Sequence, residues 1–508
     1  MKNQAFLEKA LALMPVIHET EIAAVRCVSP EKQEDGRITI RPSAAGMGHP
    51  LQKGDRIVLE FGDHQVGYLT LKLGVKGFHA DAPVRLRLHF AENPIELFED
   101  PDDYHGWICS SWIEEEIIHV DVLPGVVSLP RRYAFRYVRI EVLDISSRFS
   151  LTVEGAYCRA VSSADDALLL PYGNEDPLYQ RLDRIACRTL HNCMQAVFED
   201  GPKRDRRLWL GDLRIQARVN YVTYRKNDLV KECLYLFAAL PTKSGQVGGC
   251  IFLEPEPEVD DVVMLDYSLF FVSTLLDYYK ATGDMETVHD LWPTALSQLY
   301  LAEGLLTDQD LIRDSEEMGW CFIDWNLALN KQGAMQGVLL YALRSGMELT
   351  RLLNEQDTYM KLEAIWKSCR NAANQYLWNS EEACYTSGDN AQVSVATQVW
   401  MVLGGAIEGK KAADLLRRVT NRPDALKMVS PYMVHNYVDA MICAGEEETA
   451  IAYMCRYWGG MADQGVDTFW ELYNPENPQE SPYGGTIVNS YCHAWSCGPA
   501  YFLRRYRP

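Results

Sequence analysis

Val84-Arg-Leu-Arg-Leu-His-Phe90 sets an apolar side chain against a polar one at every step. Successive side chains of a strand point to opposite faces, so this alternation predicts a β-strand with one face in a core and the other toward water. The same period extends outward in both directions. Upstream lie Arg56-Ile-Val-Leu-Glu-Phe61 and Gly67-Tyr-Leu-Thr-Leu-Lys-Leu73; downstream lie Glu116-Ile-Ile-His-Val-Asp-Val122, Ala134-Phe-Arg-Tyr-Val-Arg-Ile-Glu-Val142 and Phe149-Ser-Leu-Thr-Val-Glu154. Turn residues such as Gly62-Asp63 and Asp100-Pro-Asp102 separate the runs. Antiparallel strands with one wet side per sheet predict a β-sandwich from about residue 37 to residue 157. Sandwiches serve as sugar-binding or as packing modules, and shielding one flank of a second domain is the favoured reading here.

The alternation stops at Ser162-Ser163-Ala-Asp-Asp166 and Pro171-Tyr-Gly-Asn174. Beyond them the apolar period becomes helical, with segments expected at 176–197, 213–240 with a break, 265–282, 285–305, 333–353, 360–378, 393–403, 410–419, 431–444, 446–458 and 489–505. Several are apolar over a broad stripe, as helices packed on both sides should be. Short turns alternate with long loops rich in Gly, Trp and Asp, which predicts a toroid of helical hairpins with the long loops lining one end. The chain therefore divides into an antiparallel β-sandwich domain, residues 1–165, and a helical catalytic domain, residues 166–508.

A length of 508 residues exceeds what one core normally organises and supports two domains. The net charge of −21 repels phosphate backbones and anionic lipid, so neither nucleic acid nor a membrane is expected as a partner. Glu8 arrives too early for the apolar core of a secretory signal, and no apolar run reaches membrane-spanning length, so the protein reads as cytoplasmic. Fourteen cysteines lack CxxC or zinc-ligand spacing and read as buried thiols in a reducing compartment. The acidic run Glu254-Pro-Glu-Pro-Glu-Val-Asp-Asp261 reads as a solvated loop rather than a metal site, because two prolines hold it extended.

Neither GxGxxG, a P-loop, HExxH nor GxSxG occurs, which leaves nucleotide and serine-hydrolase chemistry without support. Instead, several loops combine acids with aromatics. The first, Asp200-Gly-Pro-Lys-Arg-Asp-Arg-Arg-Leu-Trp-Leu-Gly-Asp212, is broken by Gly201, Pro202 and Gly211 and is therefore a shaped loop. The others are Trp320-Cys-Phe-Ile-Asp324-Trp325, Asp467-Thr-Phe-Trp470-Glu471 and His493-Ala-Trp495. Sugars need this mixture, since their C–H faces stack on flat rings while carboxylates, Arg and His hold their hydroxyls. Cleaving a glycosidic bond needs one carboxylic acid to protonate the leaving oxygen and a second carboxylate to attack the sugar or activate water. The first loop and the Glu471 loop supply one each. Arg204, Arg206 and Arg207 oppose an acid role for Asp205 unless Asp200 and Asp212 neutralise them; on charge alone, Asp205 reads first as an ion-pair partner.

These loops, together with Asp266-Tyr-Ser-Leu-Phe-Phe271 and Asp277-Tyr-Tyr279, resemble in order the motifs of the inverting α-L-rhamnosidases of glycoside hydrolase family 78. The resemblance covers residues 171–508, and the strand-rich region before it is similar to the β-sandwich of that family. It implies an (α/α)6 barrel, a rhamnoside as substrate, and displacement by water with inversion, using neither metal nor organic cofactor. Carried across, Asp205 stands at the general acid and Glu471 at the general base. Asp200, Arg204, Trp209, Asp212, Trp320, Asp324, Trp325, Trp470, His493 and Trp495 stand at positions that shape the sugar pocket. Many relatives carry Glu where this chain has Arg206, which keeps open a barrel that binds sugar without cleaving it. A hydrolase for another terminal sugar is the remaining alternative.

Overall fold

The computed structural model describes residues 2–34, 37–313 and 319–508. Nine strands form the first domain: β1 His18–Ala23, β2 Arg26–Lys32, β3 Ile38–Pro42, β4 Arg56–Gly77, β5 Val84–Ala91, β6 Glu115–Val120, β7 Gly125–Ser128, β8 Tyr133–Asp144 and β9 Phe149–Ser162. Every pairing among them is antiparallel. The runs at 56–61 and 67–73 belong to one strand, β4, whose register on β8 shifts between Glu60 and Gln65. Gly62 takes a positive φ of 83° in that shift, a conformation glycine adopts without strain. Before it, β4 lies between β2 and β8; after it, β4 runs between β7 and β9. One strand thus serves both layers, and Leu59, Leu69, Leu71, Leu86, Leu88, Val138 and Leu151 share one core between them.

One wet side per sheet holds only over part of the sandwich. Along β5, Arg85 is exposed while His89, two steps along the same polar face, is buried. Nearby His64, Glu92, Glu96 and Glu114 are buried as well, because the helical domain covers this end.

Twelve helices follow: α2 Pro177–Cys193, α3 Leu210–Val222, α4 Asn227–Ala239, α5 Leu265–Thr282, α6 Met285–Glu303, α7 Gln332–Leu353, α8 Gln356–Ala372, α9 Val395–Leu403, α10 Gly409–Thr420, α11 Pro431–Cys443, α12 Glu447–Ala462 and α13 Gly498–Tyr506. Helices α3, α5, α7, α9, α11 and α13 pack in succession, and α13 returns to α3 to close the inner ring. The outer helices lie against them, giving an (α/α)6 barrel. Sequence chose the layers: α5 buries residues around its whole circumference, whereas α8 buries only Leu362, Cys369 and Ala372. The long loops enter the inner helices at their N-terminal ends and gather at one mouth.

Several elements differ from the sequence expectation: β1 and β2 precede residue 37, and β3 and β7 lie outside the runs marked by alternation. The segment read as helix over 489–505 becomes α-helical only at Gly498. Ahead of it, the Tyr491 N–H is taken by Glu92 of the sandwich and the His493 N–H by the Phe469 carbonyl, so this backbone bonds outward rather than to its own turn. An unanticipated first helix, α1 Gln4–Leu11, packs on the barrel before the chain enters β1. There the Asn3 N–H donates to the Ala239 carbonyl at 2.8 Å, and Phe6 meets Tyr235 edge-on.

Candidate active site

At the loop mouth lies a cavity of 330 Å³ lined by five carboxylates (Asp200, Asp205, Asp212, Asp260 and Glu471), Arg204, Arg207 and His493, with aromatic walls. The 200–212 loop reaches it by folding around Asp200, whose buried carboxylate accepts the Asp205 N–H at 2.9 Å and the Arg207 N–H at 3.0 Å. Burial, and then the neighbouring Asp205 charge, raise the pKa of Asp200. Lys203 and Arg206 point away from the cavity to buried carboxylates of the sandwich. Lys203 pairs with Glu96 and donates to the Ile487 and Asn489 carbonyls at 2.9 and 3.1 Å. Arg206 donates to Glu114 at 2.5 Å.

Arg204 lies at the centre of the site. Its Nη2 donates to Glu471 Oε2 at 2.6 Å, its Nε donates to the Val488 carbonyl at 2.6 Å, and its guanidinium lies 3.9 Å from the centre of the Tyr483 ring. Its Nη1 stands 3.9 Å from Asp205 Oδ1. One planar guanidinium therefore spans the two carboxylates and bounds their nearest oxygens at about 9 Å, which rules out a splayed pair too distant for one bond and one water. The two acids sit at different depths, with 5% of the Glu471 side chain exposed against 21% for Asp205.

Burial alone would push the Glu471 carboxyl up, but Arg204, His493 and the Tyr483 hydroxyl bonded to Oε1 hold it below its ordinary value. This carboxylate stays charged where water is scarce. His493 is raised: burial works against the charged ring, but Asp212, Glu471 and Asp200 outweigh it. His493 Nε2 lies 3.2 Å from Asp212 Oδ1, outside hydrogen-bond geometry, and both ring nitrogens and that oxygen lack a hydrogen-bond partner in the fold. Buried polar atoms left open this way are suited to ligand hydroxyls. Asp212 lies in the first turn of α3, and burial raises its carboxyl.

The aromatic walls come from several loops. Trp209, on a two-residue strand β10 (Leu208–Trp209) paired with β11 (Cys250–Phe252), lines one side with Trp320 and Trp325. Trp495 donates its Nε1–H to the Glu471 carbonyl at 2.9 Å and stacks on Phe322, which holds the Glu471 loop in place.

Two expected pocket residues are turned elsewhere. Asp324 is buried away from the cavity, where its oxygens accept the Val429, Ser430 and Trp325 N–H groups and the Ser430 hydroxyl, the last at 2.6 Å. It ties its own turn to the N-terminus of α11 and has no oxygen to spare for a sugar. Trp470 packs edge-on against Tyr491 and Tyr473 and does not line the cavity. Conversely, Trp107, Ile108 and Trp112 of the sandwich domain and Tyr483 of the loop after Glu471 all line it. Asp260, from the acidic run expected to be solvated, also faces in, 4.0 Å from Arg207. Among the described residues, no group of three or more His, Cys, Asp or Glu side chains is arranged to hold a metal, and no helix is long and apolar enough to cross a membrane. All fourteen cysteines are free thiols.

A closed double ring of helices with paired carboxylates and indoles at its loop mouth defines a six-hairpin glycosidase. Residues 36–160 match the glycosyl hydrolase family 78 alpha-rhamnosidase N-terminal domain, and residues 173–506 match the bacterial alpha-L-rhamnosidase 6 hairpin glycosidase domain. The chain belongs to glycoside hydrolase family 78, the α-L-rhamnosidases. It is 40% identical to a Klebsiella oxytoca rhamnosidase solved with rhamnose bound, with a TM-score of 0.96 over 100% of this chain and 99% of that one. The fold is also shared with a family 78 rhamnosidase of Bacillus sp. GL1, at 21% identity and a TM-score of 0.74 over 94% of this chain and 47% of that one. A Streptomyces avermitilis α-L-rhamnosidase complexed with L-rhamnose matches at 16% identity and a TM-score of 0.69, over 97% and 44%. An N,N'-diacetylchitobiose phosphorylase of Vibrio furnissii is 21% identical over 238 residues, 42% of this chain, and the chain spans 28% of its length.

Proposed function

We propose that the protein hydrolyses terminal α-L-rhamnosides by a single displacement with inversion. The observation that carries this reading is a buried Glu471 carboxylate held charged within one guanidinium's span of Asp205. Glu471 is the general base. An ionised carboxylate deep in the cavity takes a proton from the attacking water, and that water's oxygen forms the new bond to the anomeric carbon. Asp205, nearer the mouth, is the general acid and gives its proton to the departing glycosidic oxygen. Beside it, burial and the Asp205 charge raise the pKa of Asp200. Asp212, His493 and Arg204 offer donors and acceptors to the sugar hydroxyls, and Trp209, Trp325 and Trp495 supply flat faces.

Support comes from family membership and from the rhamnose bound to the Klebsiella relative. Arg206 is one of the two grounds for the reading as a binding-only barrel, the other being the modules common in the family beyond these two domains, and it is engaged by Glu114 away from the cavity. Incubation with an aryl α-L-rhamnoside, with the newly formed anomer followed by NMR, tests the proposal: release of β-L-rhamnose is expected. First-formed α-L-rhamnose would overturn inversion, and cleavage of another aryl glycoside in preference to the rhamnoside would overturn the sugar assignment.

A further inference from the structure

The base has an attachment that the family motifs do not include. Tyr483 donates its hydroxyl to Glu471 Oε1, on the side of the carboxylate opposite Arg204. Its ring lies beneath the Arg204 guanidinium and meets Trp325 edge-on across the cavity wall. Tyr483 is buried, yet its backbone belongs to an irregular segment, Ser481–Gly485, that has no helix or sheet to fix it. Ser481 braces it locally, accepting the Tyr483 N–H at 3.2 Å and donating to the Gly485 carbonyl at 2.7 Å, and further ties come from the other domain. The Tyr104 hydroxyl donates to the Tyr483 carbonyl at 2.9 Å, and the Trp107 Nε1–H donates to the Pro482 carbonyl at 2.7 Å. Between those two residues, Gly106 lets the segments touch: a Cβ there would lie 1.9 Å from the Tyr483 carbonyl oxygen.

We infer that Tyr483 is a positioning residue for the base, and that the sandwich arm Tyr104–Trp107 sets it. This rests on Glu471 being the base. A carboxylate gripped at both oxygens keeps one orientation, so its free lone pairs face the cavity where the attacking water must stand. The hydroxyl also stabilises the charged form, adding to the effects of Arg204 and His493 and opposing burial and Asp212; these are the charged and titratable groups that face Glu471. Loss of that hydrogen bond removes orientation and raises the basicity of the carboxylate together. A residue that merely filled space would do neither.

The test is the pH dependence of kcat/KM for an aryl α-L-rhamnoside in Tyr483→Phe, which keeps the ring and removes the donor. The expected result is an acid limb displaced to higher pH, with kcat lowered about tenfold, as for loss of one hydrogen bond to a charged group, and KM changed much less. Tyr104→Phe, which removes one hydroxyl at the domain contact and leaves the cavity lining intact, is expected to move the limb in the same direction by a smaller amount. Gly106→Ala is expected to move it further than Tyr104→Phe, because the added methyl displaces the Tyr483 backbone. An unmoved acid limb with wild-type kcat in Tyr483→Phe would overturn the assignment of Tyr483. A shift in Tyr483→Phe with none in either arm variant would overturn the role of the sandwich. Glu471→Gln is measured alongside: if it stays active, the assignment of the base has failed, whereas an inactive Glu471→Gln with an unmoved Tyr483→Phe profile isolates the failure to this inference.

Discussion

Glu471 and Asp205 flank the same guanidinium but are held in different ways. Glu471 is clamped by Arg204 at 2.6 Å and by Tyr483, with 5% of its side chain exposed. Asp205 meets Arg204 and Arg207 only at 3.9 Å and has 21% of its side chain exposed. A base must be charged before the reaction and must hold a water in line, which rewards a dry and rigid setting. An acid must be recharged with a proton after every turnover, which rewards contact with solvent. The contrast between a clamped and a loosely held carboxylate fits the opposite duties proposed for them.

The contrast can be broken most directly at Glu471. Glu471→Gln is expected to lower kcat about a thousandfold on every substrate, because no leaving group relieves the need to activate water. Asp205→Asn should lower kcat by a similar factor on alkyl rhamnosides, but by less than about tenfold on a nitrophenyl rhamnoside, whose leaving oxygen needs little protonation. Equal losses on both substrates would remove Asp205 from the acid role. The acid limb of kcat/KM in the wild type should fall below the ordinary glutamate range, since the pKa of Glu471 is lowered. The same depressed value means that its contribution to stability is present above the unfolded-state pKa of about 4.3 and is lost as pH falls through the folded value.

A lesser effect concerns how the acid loop is seated. Lys203→Met leaves Glu96 buried without its cation, and a cost of about 3 kcal/mol or more in unfolding free energy is expected; adding Glu96→Gln should recover part of it. Asp324→Ala should cost about 2 kcal/mol by leaving the Ser430 and Val429 N–H groups unsatisfied, with KM for the rhamnoside nearly unchanged, in contrast to Asp212→Ala, which should raise KM. Smallest of all, Arg206→Ala should change kcat less than about fivefold, because it lies on the sandwich side of the loop.

The barrel was legible because burial writes its period into sequence. Helix α5 begins and ends where the apolar run 265–282 does, and Gly283, with a φ of 72°, stops it. The carboxylates Asp200, Asp205, Asp212 and Glu471 that line the cavity were legible through their motifs. Asp324 and Trp470 were misplaced for a physical reason: an acid beside a tryptophan is equally the mark of a capped turn packed on an aromatic, and Asp324 does bond its neighbour's N–H. Trp107, Trp112 and Tyr483 gave no local signal at all. Their roles arise from contacts across nearly four hundred residues of sequence, such as Tyr104 to Tyr483, which no periodicity encodes. The buried carboxylates of the sandwich were hidden likewise, because β5 alternates identically whether its polar face meets water or the barrel.

Helix α1 gives the domain arrangement a mechanical character. The helix lies on the barrel ahead of the sandwich, which is tied to the barrel at both ends, by Asn3 on Ala239 and by the passage from β9 into α2. A lobe hung on one tether can swing; one moored twice resists rotation. Trp107 adds a tie of its own by donating to the Pro482 carbonyl, so both domains build this part of the cavity rim.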